Sequence, residues 1–413
     1  MKIGLFTDQY YPQISGVVVS IKNLYETLEA MGHTCYIFTC NVEKGGEDNP
    51  ELKNKRVINF PGIRYPFKAV RSYKYTLFDQ NFIDEISKYN LDVIHINTEF
   101  NISKIARKAS RKLGIPVVYT VHTAWIQYIC TLFPLTDKWL HNFWIWVMKT
   151  LFTHPTSKAS TITILPTEKM LPDLKDYGIE KKNIVILPTG LDLSRFAKEN
   201  INYDEVSKLK KELGLEGKFV YEFIGRIAKE KNIPELIDSF AEVFKATSDV
   251  KLLIVGDGPI LSDLKKQAEK LGISDKVVFA GMVDWKDIPS YYYLGDVFVN
   301  ASKSETQGLT YIEALASGLP VVAQDDLCIK GVIEDRYNGF IFDGKEGLVD
   351  SLKYTYNIKD NLDTIKENCY KSSVNFTKEK FAKKALKVYE RAIDIYNNEK
   401  ELKNKKKKKN NKK

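Results

Sequence analysis

The chain has 413 residues, 44% of them hydrophobic, and a formal net charge of +9. That length exceeds what one hydrophobic core usually supports, so two domains are expected. Its five cysteines, Cys35, Cys40, Cys130, Cys328 and Cys369, lack CxxC or Cys/His spacing, which argues against a disulfide framework and a zinc site and fits a reducing compartment.

The start, MKIGLFTDQYYP, reads as a buried strand running into a loop. It lacks the long apolar core and small-residue cleavage site of a signal peptide, so the expected location is inside the cell. The apolar runs CYIFT, RVINF, LDVIHIN, PVVYTVH, TITIL and NIVILPT follow, separated by amphipathic or loop segments. This is the βαβ rhythm of a doubly wound parallel sheet.

Within this half, residues 53–74 hold Lys53, Lys55, Arg56, Arg64, Lys68, Arg71 and Lys74 without an acid, interleaved with Phe60, Tyr65, Phe67 and Tyr73. Mixed basic and aromatic side chains suit an anionic bilayer interface, or stacking on single-stranded nucleic acid. A second basic run, Lys104, Arg107, Lys108, Arg111 and Lys112, also lacks acids. The segment WLHNFWIWVMKTLF at 139–152 carries Trp139, Trp144 and Trp146. It is too short to span a bilayer and reads either as a buried helix or as a partly exposed wall for an acyl chain.

Turn residues at Pro188-Thr189-Gly190-Leu191-Asp192 mark the domain boundary, and NYDEVSKLKKELGL reads as a basic linker. The strand rhythm then restarts with KFVYEFIGR, VKLLIVGDGP, KVVFAG, DVFVNAS and LPVVAQD, giving two Rossmann-like halves in tandem. The expected divisions are 1–190, 191–377, a helix over 378–402 returning to the first domain, and a disordered polybasic tail at 403–413. Net charge is +6 over residues 1–200, −5 over 201–402 and +8 over 403–413. The basic first half and tail point towards an anionic surface, although the tail alone also reads as a solvated end.

Candidate chemistry concentrates where strands end. Gly225-Arg226 closes one strand and Lys231 follows at a helix start. Two cations at the carboxyl edge of a sheet suit a diphosphate, or form a plain surface pair. Gly256 and Gly258 in IVGDGP give a tight turn whose spacing does not match GxGxxG, so nicotinamide dinucleotide binding is not supported. In SKSETQGLTYIEALASGLPVVA, Glu305 falls in a loop, Gly308 opens a helix, and Glu313 lies in its first turns. Carboxylates there can accept hydrogen bonds from sugar and ribose diols.

These elements together resemble the retaining GT-B glycosyltransferases of family GT4 across nearly the full chain. The family signature is E-x7-E preceded by GR-x4-K, present here as Glu305 to Glu313 and Arg226 to Lys231, with GDGP and the PTGLD hinge. The resemblance implies an α/β GT-B fold, two Rossmann-like domains facing across a deep cleft with a C-terminal helix crossing back to the first. It further implies that Glu313 binds the ribose of a nucleotide donor, Glu305 meets the transferred sugar, and Arg226 with Lys231 hold the diphosphate. Gly225, Gly256, Gly308 and Leu309 would line the donor site. Ser15 and Gly16 match a first-domain dipeptide whose backbone faces the donor phosphates, and His122 matches the family's active-site histidine. His95, Asn97 and Glu99 are weaker candidates on the acceptor side.

The start of the chain and the HTAWIQY segment are most similar to the diacylglycerol glucosyltransferase branch, which uses UDP-glucose. That implies a lipid acceptor, a peripheral position on the cytoplasmic face of an anionic membrane, and contacts through Arg64, Phe67, Lys68, Arg71, Trp139, Trp144 and Trp146. Nucleic acid is not expected as a partner. No DxD motif stands where it would bridge a metal to the diphosphate, so no obligatory metal is expected. Phosphatidylinositol mannosyl transfer, glycosylation of a soluble polymer, a nucleotide-sugar epimerase and a non-catalytic membrane-binding protein remain alternatives.

Overall fold

A computed structural model describes residues 1–11, 15–40, 54–64, 74–75, 80–122, 138–172 and 174–410. The chain forms two compact units, Met1–Leu191 with Lys378–Lys413, and Asp192–Thr377.

In the first unit the apolar runs become β1 (Lys2–Phe6), β2 (Thr34–Thr39), β3 (Val57–Asn59), β6 (Val93–Ile96), β7 (Val117–Thr120), β8 (Ile162–Leu165) and β9 (Ile184–Ile186), with β4 (Ile63–Arg64) and β5 (Lys74–Tyr75) pairing as a separate hairpin. Among the described residues the main sheet is parallel, in the order β3-β2-β1-β6-β7-β8-β9. Both faces are covered, which is why its strands read as near-continuous apolar runs. On one face lie helix Gly16–Ala30 and the C-terminal helix Lys378–Asn410. The latter buries Phe381, Ala382, Ala385, Val388, Tyr389 and Ala392 at helical spacing. Its alanines allow close approach to the sheet.

That helix runs on through Lys403 and Lys405–Lys409 to Asn410, so the expected disordered tail is instead helical as far as Asn410. Lysine is a good helix former, and positive charge at a helix C-terminus is favoured by the macrodipole. The other face of the sheet carries helix Asn101–Leu113. Its N-terminus lacks a local side-chain cap. Asp8, from the loop after β1, supplies one across the sheet, accepting from Ile102 N at 2.9 Å.

The second unit is a parallel sheet of β10 (Phe219–Ile224), β11 (Val250–Val255), β12 (Val277–Gly281), β13 (Val297–Asn300), β14 (Val321–Gln324) and β15 (Gly339–Phe342). The order is β12-β11-β10-β13-β14-β15. The edge strand β15 was not expected from the sequence. The presumed basic linker is a helix, Tyr203–Glu212, capped by Asn202, whose side chain accepts from Glu205 N. No described helix is long and apolar enough to cross a membrane.

Glu222 interrupts the central strand β10. It is fully buried, and neither carboxyl oxygen has a hydrogen-bond partner among the described residues. Burial pushes its pKa well above 4.5, outweighing the opposing effects of Lys210 and the Gly295 backbone. The folded chain therefore keeps a proton that the unfolded chain sheds as pH rises through the ordinary carboxyl range, and stability falls with rising pH on that account. Glu222→Met should stabilise the protein by about 1–3 kcal/mol at pH 7.5 and by less at pH 4.5. Urea unfolding at the two pH values measures this, and a loss of stability at pH 7.5 would mean that Glu222 has a partner.

Candidate functional site

In an open parallel sheet the ligand crevice lies at the carboxyl edge, where strand order reverses. In the second unit that point falls between β10 and β13, so the segments after these strands meet. The first carries Gly225, Arg226 and Lys231; the second carries Glu305 and Gly308. Lys231 Nζ donates to Glu305 Oε1 at 2.5 Å, with both side chains mostly buried. Arg226 is more exposed and ion-pairs with Glu230. Ser302 Oγ and Ser304 Oγ each donate to the Glu230 carbonyl at 3.1 Å, tying the two loops together.

Three glycines shape this edge. A Cβ on Gly256 would stand 2.0 Å from the Gly225 carbonyl oxygen, and one on Gly258 would stand 2.0 Å from that of Ile227. The GDGP turn thus lies directly against the backbone that presents Arg226. Gly308, at φ +66°, leaves no room for a Cβ against the Tyr311 ring. It starts helix Leu309–Ala316, which has neither a side-chain cap nor an acid in its first turn, so its free N–H groups and positive dipole end add to the cationic character.

A cavity of about 670 Å³ opens beside Gly225, Arg226 and Gly256, with Met282, Val283 and Ile288 as apolar lining. Its size and mixed lining are those of a small-ligand site. Glu313, one turn into the helix, accepts from Tyr292 Oη at 2.7 Å. Burial raises its pKa to about 7, opposed by the Tyr292 hydrogen bond and by Arg195. Tyr292 and Arg195 were not singled out from the sequence, where no motif marks them.

In the first unit, Ser15 caps helix Gly16–Ala30 by accepting from Val18 N, and its hydroxyl donates to Gln9 Oε1 at 3.2 Å. Its side chain is therefore engaged, and what the Ser15-Gly16 segment has to offer a ligand is backbone N–H. His122 follows β7 and contacts Asn97 Oδ1 through Nε2 at 3.2 Å, while Asn97 Nδ2 donates to the His95 carbonyl at 3.3 Å. Since the amide oxygen only accepts, Nε2 of His122 carries the proton and Nδ1 is left as an acceptor. Burial lowers the pKa of His122 to about 4, so the imidazole is neutral at neutral pH.

His95 is a core residue, with Nδ1 on Tyr389 Oη at 2.8 Å and Nε2 on Thr120 Oγ1 at 2.7 Å. Glu99 is buried, accepts from Tyr119 Oη at 2.6 Å, and is raised by burial to about 7. Neither residue is laid open to an acceptor.

The tryptophan-rich segment is a helix, Lys138–Val147, continued by a wider turn, Met148–Thr153. Trp139 (72% exposed), Phe143 (41%) and Trp146 (56%) share its outer face. Trp144 packs with Ile145 and Met148 against the core, which corrects its expected place on the acceptor surface. Residue 144 lies between the outward positions 143 and 146 and turns to the opposite side of the helix. Of the basic-aromatic region, Arg64 is described as strand backbone only; Phe67, Lys68 and Arg71 lie outside the described residues.

Residues 205–372 match the family of glycosyl transferases group 1, and residues 14–195 match glycosyltransferase family 4. The chain is 35% identical over 396 residues to the alpha-monoglucosyldiacylglycerol synthase of Acholeplasma laidlawii, covering 94% of this chain and 96% of that one. It is also 35% identical to the alpha-monoglucosyldiacylglycerol synthase of Streptococcus pneumoniae, covering 95% of this chain and 86% of that protein. The solved structure of Anabaena HepE in complex with UDP superposes with a TM-score of 0.71 at 18% identity, covering 94% of this chain and 98% of that one.

Proposed function

The chain belongs to the group 1, family 4 glycosyltransferases and has the GT-B fold, and on that premise we propose that it transfers glucose from UDP-glucose to 1,2-diacylglycerol with retention, at the surface of an anionic membrane. The full-length identity to two alpha-monoglucosyldiacylglycerol synthases supports the sugar and the lipid acceptor. The juxtaposition of Arg226, Lys231 and Glu305 at the switch point of the second sheet supports the chemistry.

When the bond from sugar C1 to phosphate oxygen breaks, negative charge builds on the departing diphosphate. Fixed cations and helix N–H groups aimed there stabilise the transition state more than the ground state. Arg226, Lys231 and the start of helix Leu309–Ala316 take that role, with Gly225, Gly256 and Gly308 allowing close backbone approach. Glu230 and Glu305 pair with the two cations, and a diphosphate competes with them. The diphosphate displaces them, freeing Glu305 to accept from hydroxyls of the sugar. Glu313 takes the ribose. In the first unit, the Ser15-Gly16 segment offers backbone N–H and His122 an accepting Nδ1. The acceptor hydroxyl attacks C1 on the face the diphosphate leaves, and its proton passes to the leaving phosphate oxygen. No step calls for a metal.

The test is incubation with diacylglycerol-containing anionic vesicles, or with soluble sugars, and a panel of labelled UDP and GDP sugars in chelator. Label from UDP-glucose in the lipid phase is expected. Transfer to a water-soluble acceptor alone would reject the lipid reading, and activity restored only by a divalent ion would reject the metal-free one.

For the membrane, Trp139, Phe143 and Trp146 offer an apolar face and the exposed Lys403, Lys405, Lys406 and Lys408 offer charge. Replacing the three aromatics with serine should weaken vesicle binding at least about tenfold, from lost apolar burial. Binding of the native chain should fall as salt is raised, because exposed charges are screened. Sedimentation with vesicles measures both, and binding indifferent to salt and to the three substitutions would exclude this surface.

A further inference from the structure

We propose that Tyr292 is a positioning residue of the donor site: its hydroxyl holds one oxygen of the Glu313 carboxylate so that the other meets the nucleotide ribose. The inference rests on the reading of Glu313 as the ribose ligand.

Tyr292 follows the short helix Ile288–Tyr291, whose first residue lines the cavity beside Gly225 and Gly256. Its ring is fully buried, 5.5 Å from the ring of Phe196 and 5.9 Å from that of Phe298. Burial against these two rings restricts its orientation. Its hydroxyl lies 2.7 Å from Glu313 Oε2, with the Thr310 carbonyl a distant second acceptor at 3.5 Å. A hydroxyl has a single proton, and the shorter contact to the carboxylate takes it.

Arg195 faces the same carboxylate as its cation. Its guanidinium lies 3.5 Å from the Trp285 ring centroid and donates to the Trp285 carbonyl at 2.7 Å, which fixes where its charge sits. The buried Glu222 also lies within electrostatic reach of Tyr292. From helix Asp363–Ser373, packed on the Glu313 helix, Tyr370 donates to the Ser317 carbonyl, away from Glu313. Tyr292 and Arg195 are thus the groups that favour the charged form of Glu313 against its burial.

Deleting the hydroxyl has two consequences that a packing role lacks. Glu313 loses its orientation, and its proton is held to higher pH. The defect is therefore largest where Glu313 is already part protonated and shrinks in alkali, where the carboxylate is charged in either protein.

The experiment is calorimetric titration with UDP at pH 6.5 and pH 9, on the full chain, Tyr292→Phe, Glu313→Gln and the double variant, alongside donor kinetics. Tyr292→Phe is expected to weaken UDP binding about tenfold at pH 6.5, as for a lost hydrogen bond to a charged group, with partial recovery at pH 9. The donor KM should rise more than kcat falls. In the Glu313→Gln background the same change should have no effect. Wild-type affinity in Tyr292→Phe at both pH values, or an equal loss in the Glu313→Gln background, would overturn the proposal. If Glu313→Gln itself binds UDP like the wild type, the ribose reading fails and the proposal goes with it; if Glu313→Gln is impaired and Tyr292→Phe is not, the proposal alone fails.

Discussion

Lys231→Ala is expected to lower kcat about 10²–10³-fold, the usual consequence of removing one fixed group from a site of developing negative charge, while far-ultraviolet circular dichroism stays that of the folded chain. Lys231 has the strongest position of the candidate cations: its side chain is 20% exposed, where Arg226 is 53% exposed. Solvent weakens the field of Arg226 at the reacting bond, so Arg226→Ala should cost less. The Lys231 substitution also leaves Glu305, 14% exposed, without its ion-pair partner. A carboxylate left without its cation repels the incoming diphosphate, so part of the loss should appear in the donor KM. Lys231→Ala combined with Glu305→Gln removes that repulsion and should recover donor KM without recovering kcat. Single-turnover rates with saturating donor separate the two effects. A kcat within threefold of the wild type in Lys231→Ala would remove this residue from the chemistry.

Gly256→Ala should be the most damaging of the conservative substitutions at the site. The new Cβ would stand 2.0 Å from the Gly225 carbonyl oxygen, and the backbone there has φ +136°, where side chains other than hydrogen are strained. Neither the oxygen nor the strand behind it can give way, since Gly225 N is bonded to the Val255 carbonyl and Gly256 N to that of Gly281. A loss of at least about 3 kcal/mol is expected, combining overpacking with backbone strain, together with loss of UDP binding as the loop carrying Arg226 is displaced. Gly281→Ala is the control. Its φ is +76° and a Cβ there would meet nothing within 4 Å, so strain alone operates and about 1–2 kcal/mol is expected. Urea unfolding of the two variants makes the comparison, and equal losses would show that the close approach to Gly225 carries no cost.

Much of the fold is legible because parallel strands covered on both faces must be apolar throughout, and runs such as KIGLF and KLLIV stand out against charged helices. β15 is not legible because GFIF opens on a glycine and stands isolated between the polar stretches EDRYN and DGKE. Helix Tyr203–Glu212 reads as a linker because only Val206 is fully buried and Leu209 half-buried among otherwise polar or exposed residues; a surface helix that buries so little leaves almost no apolar stripe. The motif residues are visible because their spacing is rigid: a turn after β10 and a helix start after β13 sit side by side whatever the surrounding sequence.

What the sequence conceals is the support around those motifs. Tyr292 stands 21 residues before Glu313 and Arg195 stands 118 before it, and only the packing of the short segments Leu193–Phe196 and Ile288–Tyr291 beside helix Leu309–Ala316 brings them together. The same holds for Asp8, which caps a helix 94 positions on. Of the three clustered tryptophans, composition alone could not separate Trp144, turned to the core, from Trp139 and Trp146, turned to solvent; that division depends on which side of the helix the core lies.

The most direct measurement is a crystal structure of the chain with UDP bound. The diphosphate oxygens should lie within hydrogen-bond distance of Arg226 and Lys231, with Lys231 released from Glu305 and the ribose hydroxyls on Glu313. UDP bound elsewhere, or bound with Lys231 still paired to Glu305 and the diphosphate touching neither cation, would contradict the donor site.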